Sequence, residues 1–151
     1  MSLYRHFKSK EELVLASLVM RETLWTHEWL ESTMLATTDV PTARLLAIFD
    51  IFDKWFQKPN FEGCSFINIL LESEPNTPIH IAATAHLAHI RSIIKAQAIQ
   101  AGLAEPERFA HTWHFLMKGS IVTANEGNRN AAKQAQVAAA ILLDTWPRVS
   151  Q

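Results

Sequence analysis

The 151-residue sequence contains few of the residues that cross-link or interrupt a chain. Its only cysteine is Cys64, which excludes an intramolecular disulfide and a zinc site built from several cysteines. Four glycines and six prolines leave few turn signals, so long regular elements are expected. Because the lone thiol has no resolving partner, a small and partly buried residue explains it more simply than a redox sensor.

The sequence also lacks a strong charge of either sign and a long apolar run. Fourteen Lys and Arg against fifteen Asp and Glu exclude the basic field that is typical of a whole-surface nucleic-acid binder. No apolar run approaches the ~20 residues of a membrane span. The polar, basic start does not resemble a signal peptide. We therefore expect a cytoplasmic protein that does not associate with a membrane.

Helical periodicity is the main signal that the sequence does contain. Apolar residues make up 48% of the chain, enough for the core of one domain, and they recur at spacings of three and four. Ser9 to Glu12 fits a capping box at a helix start, Pro41 suits a first helical turn and Gly102 suits a helix end. The sequence predicts an all-α fold with helices over about 10–36, 41–58, 64–74, 78–101, 106–124 and 130–146.

Two stretches resemble the TetR family of transcriptional regulators. Leu3-Tyr4-Arg5-His6-Phe7-Lys8-Ser9-Lys10-Glu11-Glu12-Leu13 is similar to the end of that family's recognition helix and the start of the next helix. Gly63-Cys64-Ser65-Phe66-Ile67-Asn68, with the turn near Glu74, is similar to a sensor-domain helix of one subgroup. The resemblance implies a ligand-binding and dimerisation bundle over 9–151. It also implies that 1–8 is a remnant of a helix-turn-helix domain whose earlier helices are missing.

The resemblance further implies contacts to DNA phosphates by Tyr4, His6 and Lys10, in the intact protein only. A lysine neutralises phosphate charge, and a helix N-terminus offers free N–H donors to an anion. Such contacts position a protein, whereas contacts to bases specify the site. The resemblance implies that most of the family's base-reading residues would precede Ser2. We therefore expect operator DNA to be a partner of the intact protein and no specific DNA binding by this chain.

A sensor domain of this type implies a mostly apolar pocket for a small-molecule effector. The polar candidates are Asn68, His86 and His89, since a polar group on an apolar face needs a protein or ligand partner. Ile90 and Ile93 share the face of His86. Ordinary core packing is the alternative for every aromatic candidate. The aromatic candidates are Trp25, Trp29, Phe49, Phe52, Trp55, Phe66 and Trp113.

The sequence predicts neither a metal site nor a cofactor nor catalysis. His86 and His89 form one pair, His111 and His114 another, and an antiparallel hairpin near residue 104 would hold the pairs at different levels. The sequence contains no Glu-x-x-His pair, which is the motif that would indicate a carboxylate iron site. There is no glycine-rich phosphate loop and no Gly-x-Ser-x-Gly elbow, so the protein is not expected to be an enzyme.

The last two predicted helices are expected to form a homodimer through a four-helix bundle. Small and branched residues there allow close helix approach, and the alternative is that these faces cover only the chain's own core. The interface candidates are His114, Met117, Gly119, Ser120, Ile121, Thr123, Ala135, Ala138, Ala139, Leu142 and Leu143.

Together these features predict a ligand-responsive transcriptional regulator of the repressor type. The alternatives from other classes are a small all-α enzyme or carrier with an apolar pocket, and a purely structural helical dimer. The regulator is favoured because the Leu3–Leu13 motif joins a recognisable pattern to a well-capped helix start.

Overall fold

The computed structural model describes residues 9–150, and Tyr4, His6 and the predicted 1–8 remnant lie outside that range. No β-strand is present among these residues, so the all-α prediction is confirmed. None of the helices in this range is long and apolar enough to cross a membrane. In chain order the elements are α1 (Lys10–Arg21), a π-helical segment (Glu22–Glu31), α2 (Ser32–Thr37), α3 (Pro41–Phe56), α4 (Ser65–Glu72), α5 (Pro78–Gln100), α6 (Pro106–Asn125) and α7 (Ala131–Thr145).

The first three elements form one continuous helical rod. Ser9 caps its start, and the Ser9 hydroxyl accepts a hydrogen bond from the backbone N–H of Glu12 at 3.1 Å. The middle of the rod is π-helical, with i→i+5 bonding that brings residues five apart onto one face. The sequence predicted a single helix here and did not predict this change of winding.

The core is centred on α3. Pro41 occupies its first turn, and Leu45, Ile48, Phe49 and Phe52 are fully buried along it. Helices α5, α6 and α7 and the rod pack around this stripe. Burying large apolar side chains contributes about 1.5–3 kcal/mol each, so this stripe supplies a major part of the fold's stability.

The α5–α6 turn is fixed by backbone geometry and by the end of the chain. Gly102 has a φ of +70°, the left-handed conformation that ends a helix and favours glycine. The Trp146 indole N–H donates to the Ala104 carbonyl at 2.7 Å, and Ala104 N–H donates to the Pro147 carbonyl at 2.8 Å. These contacts hold α5 and α6 as a hairpin beside α7.

Candidate ligand-binding site

A cavity of about 450 Å³ lies between the π-helical segment, the end of α3 and the start of α4. Gly63, with a φ of +87°, turns the chain from the loop after α3 into α4 at its edge. Exposed side chains surround the mouth and aromatic rings form the inner wall. The lining residues are Arg21, Leu24, Trp25, Trp29, Trp55, Lys58, Asn60, Glu62, Gly63, Cys64, Ser65, Phe66 and Asn68.

Three tryptophans form the apolar wall of the cavity. The rings of Trp25 and Trp29 are 5.3 Å apart, and Trp55 meets them edge-on at 5.4 and 5.6 Å. Phe52 lies behind them, parallel to Trp29 at 6.4 Å, and is itself fully buried. Because each indole is only partly buried, the cluster can still present ring surface to a small molecule.

The rim of the cavity is polar and carries more positive than negative charge. Arg21 and Lys58 line it together with the single acid Glu62. Neither cation forms an ion pair with a carboxylate among residues 9–150. Asn68 is exposed at the same rim, where its amide donates to the Glu62 carbonyl at 3.4 Å. The cavity therefore combines an aromatic wall with two cationic groups that have no carboxylate partner in the described part of the chain.

Cys64 lies in the wall as a buried and unreactive group. Burial raises the pKa of its thiol, and hydrogen bonds from the backbone of Ile67 and Phe66 offset that rise only in part. The thiol is therefore protonated near neutral pH, which removes the thiolate that redox chemistry and nucleophilic attack require.

The remaining predicted pocket residues lie away from this cavity. Phe49, Phe52 and Trp113 have no exposed surface and belong to the core, with Phe49 packed edge-on against Trp113 at 5.5 Å. Ile90 and Ile93 are buried on α5. Thus Trp25, Trp29, Trp55, Phe66 and Asn68 are brought together at the cavity, and these other side chains belong to the core.

His86 and His89 meet a carboxylate that sequence reasoning missed. The Nδ1 atom of His86 lies 2.9 Å from Oε1 of Glu22, and Nδ1 of His89 contacts the same oxygen. Burial would raise the pKa of Glu22, but hydrogen bonds and charge interactions with both histidines outweigh it, and the pKa is lowered. The buried His86 thus finds its partner 64 positions earlier in the chain, where nothing in the local sequence of α5 could indicate it.

Six of the predicted interface side chains point into the chain's own core. His114, Met117, Ser120, Ile121, Ala139 and Leu143 are each at most 5% exposed. The outward faces of α6 and α7 instead present large apolar side chains with 44–65% of their surface exposed: Phe115, Val122, Val137 and Ile141. Gly119, Ala138 and the partly buried Thr123, Ala135 and Leu142 complete the set of predicted residues.

Lys10 is the one predicted phosphate-contacting residue inside the described range. It is exposed at the first position of α1 and is followed by Glu11 and Glu12 in the same turn. The phosphate contact of Lys10 stays a prediction.

Solved structures identify the class to which this helical fold belongs. The chain superposes on a TetR-family transcriptional regulator from Streptomyces coelicolor with a TM-score of 0.82 and 20% sequence identity, over 94% of this chain and 75% of that chain. It also superposes on a protein from Streptomyces avermitilis assigned as a TetR-type transcriptional regulator, with a TM-score of 0.73 and 22% identity, over 91% and 79% of the two chains.

At these identities the likeness establishes the fold. The TetR-like fold implied by the Leu3–Leu13 and Gly63–Asn68 motifs is therefore confirmed. No family model matches the sequence, and no curated protein sequence matches it.

Proposed function

We propose that the chain is the ligand-sensing and dimerising part of a TetR-type transcriptional regulator. In this proposal residues 9–151 form the sensing domain, and residues 1–8 belong to the DNA-binding part. The observation that supports it most directly is the tryptophan-walled cavity, because Trp25 and Trp29 lie on the rod that begins at Lys10. A ligand against these rings would favour one pose of the rod through its differential affinity for the two poses.

The cavity favours a small aromatic or aliphatic molecule that carries an acidic group. The three indoles supply apolar surface for the body of such a ligand. Arg21 and Lys58 at the rim can pair with a carboxylate, and Arg is especially suited to bidentate pairing. An aromatic cluster alone would also attract a cation, but the two positive side chains at the mouth oppose this.

A binding experiment tests the proposed sensing function. Benzoate, indole-3-acetate and octanoate are titrated by calorimetry, each beside its amide. At least one acid is expected to bind more tightly than its amide, and Trp29→Ala should weaken it about tenfold or more, which corresponds to ~1.4 kcal/mol. Trp146→Phe is the control, because Trp146 packs on Phe109 away from the cavity. Equal affinity for acid and amide, or no effect of Trp29→Ala, contradicts the proposed ligand class.

In the proposed dimer, two chains join through the outward faces of α6 and α7. The exposed Phe115, Val137 and Ile141 give an apolar surface that a monomer in water would not favour. A groove of about 240 Å³ runs between these helices, with Gly119 and Ala135 among its lining residues. Two copies of this face related by a two-fold axis would bury the apolar residues of both.

Light scattering tests this interface. The unaltered chain is expected to elute as a dimer, and Phe115→Glu should yield a monomer, since it places a carboxylate in an apolar part of each copy of the interface. Leu71→Glu is a matched control, because Leu71 is 75% exposed on a different helix. A monomeric unaltered chain, or dissociation of both variants alike, argues against this face.

The competing enzyme or carrier function is less well supported by the chemistry of the cavity. None of the residues that line it is a histidine, and its one thiol is buried with a raised pKa. The lining residues therefore provide neither a histidine base nor a reactive thiolate for covalent catalysis. A carrier remains distinguishable from a sensor, because ligand binding to a carrier would leave the pose of the rod unchanged.

A further inference from the structure

We propose that Glu22, His86 and His89 form a binding site for a divalent transition-metal ion of the zinc class. A carboxylate oxygen and the two imidazole nitrogens converge here, and the ligand atoms lie within 4.8 Å of one another. The two histidines are three residues apart on one face of α5, and the carboxylate comes from the π-helical segment opposite. The site thus joins two elements that are distant in sequence.

The donor set matches the preference of zinc-class ions. Imidazole nitrogen and carboxylate oxygen bind Zn²⁺ at about 2.0–2.2 Å, and two histidines with one carboxylate leave a fourth position open. Tetrahedral bonds of that length separate ligand atoms by roughly 3.3 Å. The His86 Nδ1 to Glu22 Oε1 distance is 2.9 Å, so small side-chain adjustments would admit an ion. Mg²⁺ and Ca²⁺ prefer oxygen-only ligands and are not expected to bind.

The surroundings hold the ligands in place and leave a route from solvent. The His86 ring stacks on Phe66 with ring centroids 5.2 Å apart and an angle of 13°, which fixes its orientation. The His89 side chain is 52% exposed and gives an ion access. The other oxygen of Glu22 lies 3.9 Å from Nε2 of His27, five residues later on the same face of the π-helical segment. His27 is therefore an electrostatic neighbour of the carboxylate, and its own hydrogen bond goes to Glu31 at 3.1 Å.

A bound ion would fix the cavity wall to α5. Glu22 precedes Trp25 on the π-helical segment, and Phe66 both lines the cavity and supports the His86 ring. Joining Glu22 to two α5 side chains would restrict the motion of the segment that carries two of the cavity tryptophans. The metal site is proposed for the chain itself and does not depend on the proposed regulatory function.

Zinc titration of the untagged, chelator-treated chain tests the site. Calorimetry is expected to show one Zn²⁺ ion per chain, and Co²⁺ should give the visible absorption of a four-coordinate ion. Both His89→Ala and Glu22→Gln should lower the affinity for Zn²⁺ at least ~10-fold, since even outer partners of a metal site contribute 10–100-fold. His89 is the better test position, because its side chain is 52% exposed and its replacement leaves the core unchanged.

His111→Ala is the matched control. His111 is 48% exposed and lies 3.9 Å from Glu107, so it is a surface histidine with a carboxylate neighbour. Within residues 9–150 it belongs to no group of three potential ligands. Its replacement should leave the affinity unchanged, and Zn²⁺ should raise the unfolding temperature of this variant but not that of His89→Ala. If both His89→Ala and Glu22→Gln bound Zn²⁺ with unaltered affinity, the three residues would form a hydrogen-bonded cluster only. If His111→Ala lost as much Zn²⁺ affinity as these two variants, the binding would be adventitious surface binding. Either result overturns the proposal.

Discussion

Helices α5 and α6 each carry a buried histidine, and the charges that surround the two rings are opposite. His86 on α5 faces the carboxylate of Glu22 at 2.9 Å. His114 on α6 faces Arg91, whose Nη1 lies 3.5 Å from its Nδ1, and the charge of Lys118 acts on it from the same helix. Burial first, and then these cations and His111, lower the pKa of His114 to about 3.

The contrast shows that burial alone does not decide what a histidine can do. The spacing of apolar residues indicates the buried face that carries His86. The groups that the two rings contact, Glu22 for His86 and Arg91 for His114, come from elements distant in sequence. Beside a carboxylate, the His86 ring can donate a proton to a hydrogen bond or bind a cation. Beside guanidinium and ammonium groups, the His114 ring remains neutral and can accept a hydrogen bond from Arg91.

The largest expected effect concerns the pH dependence that His114 confers on stability. Its folded pKa of about 3 lies below its ordinary value of 6.5, so between these pH values the unfolded chain binds a proton that the folded chain does not. Stability therefore falls as the pH falls, by about 1.4 kcal/mol per unit and about 3 kcal/mol from pH 6.5 to 4. In His114→Gln this part of the loss should disappear.

Urea unfolding at a series of pH values measures this difference. The free energy of unfolding of the unaltered chain should decline more steeply below pH 6.5 than that of His114→Gln. His111→Gln serves as the control, since His111 is exposed on the same helix and should retain the steep decline. Parallel curves for the unaltered chain and His114→Gln would show that the ring titrates normally in the folded state.

The second expected effect follows from removing the negative charge of Glu22, which lies beside His86 and has no counterpart beside His114. Glu22→Gln keeps an acceptor oxygen but loses the anion that receives both imidazole contacts, so a loss of about 1–2 kcal/mol is expected at pH 7. The folded pKa of Glu22 is lowered, so its contribution is present above the unfolded pKa and is lost as the pH falls through the folded value. Below that range the variant and the unaltered chain should be equally stable.

Urea unfolding at pH 7 and at a series of lower pH values checks this second effect. The matched control is Glu107→Gln, which removes an exposed carboxylate beside His111 and Lys95 and should change stability little. If Glu22→Gln were as stable as the unaltered chain at pH 7, the charge of Glu22 would contribute nothing to the free energy of unfolding. The opposite charges beside His86 and His114 would then not differ in their effect on stability.

The helices were predictable because their ends carry local signals. Ser9 caps the first helix, Pro41 opens α3 and Gly102 adopts the left-handed conformation after α5, as their residue types indicated. The π-helical segment gives no such signal. The spacing of four from Trp25 to Trp29 also fits one turn of an α-helix, so periodicity could not separate the two windings.

The cavity was predictable as a cluster of aromatic residues but not in its boundary. On α3, Phe49, Phe52 and Trp55 lie at spacings of three, which is one broad apolar stripe in sequence. Only the packing of the rod and α4 decides that Trp55 is at the cavity edge while the two phenylalanines are enclosed. On α6 and α7, the spacing of apolar residues likewise did not indicate that Phe115, Val137 and Ile141 would face outward.

The smallest expected effect separates the causes that act on His114. Arg91→Leu removes the guanidinium near Nδ1 but leaves the ring enclosed. Because burial is the first cause of the lowered pKa and the cations act after it, the pKa should rise only slightly and remain well below 6.5. The decline in stability below pH 6.5 should therefore persist in Arg91→Leu and be only slightly shallower than in the unaltered chain. If the decline vanished as fully as in His114→Gln, the charge of Arg91 rather than enclosure would set the state of the ring, and the two histidines would differ through their charged partners alone.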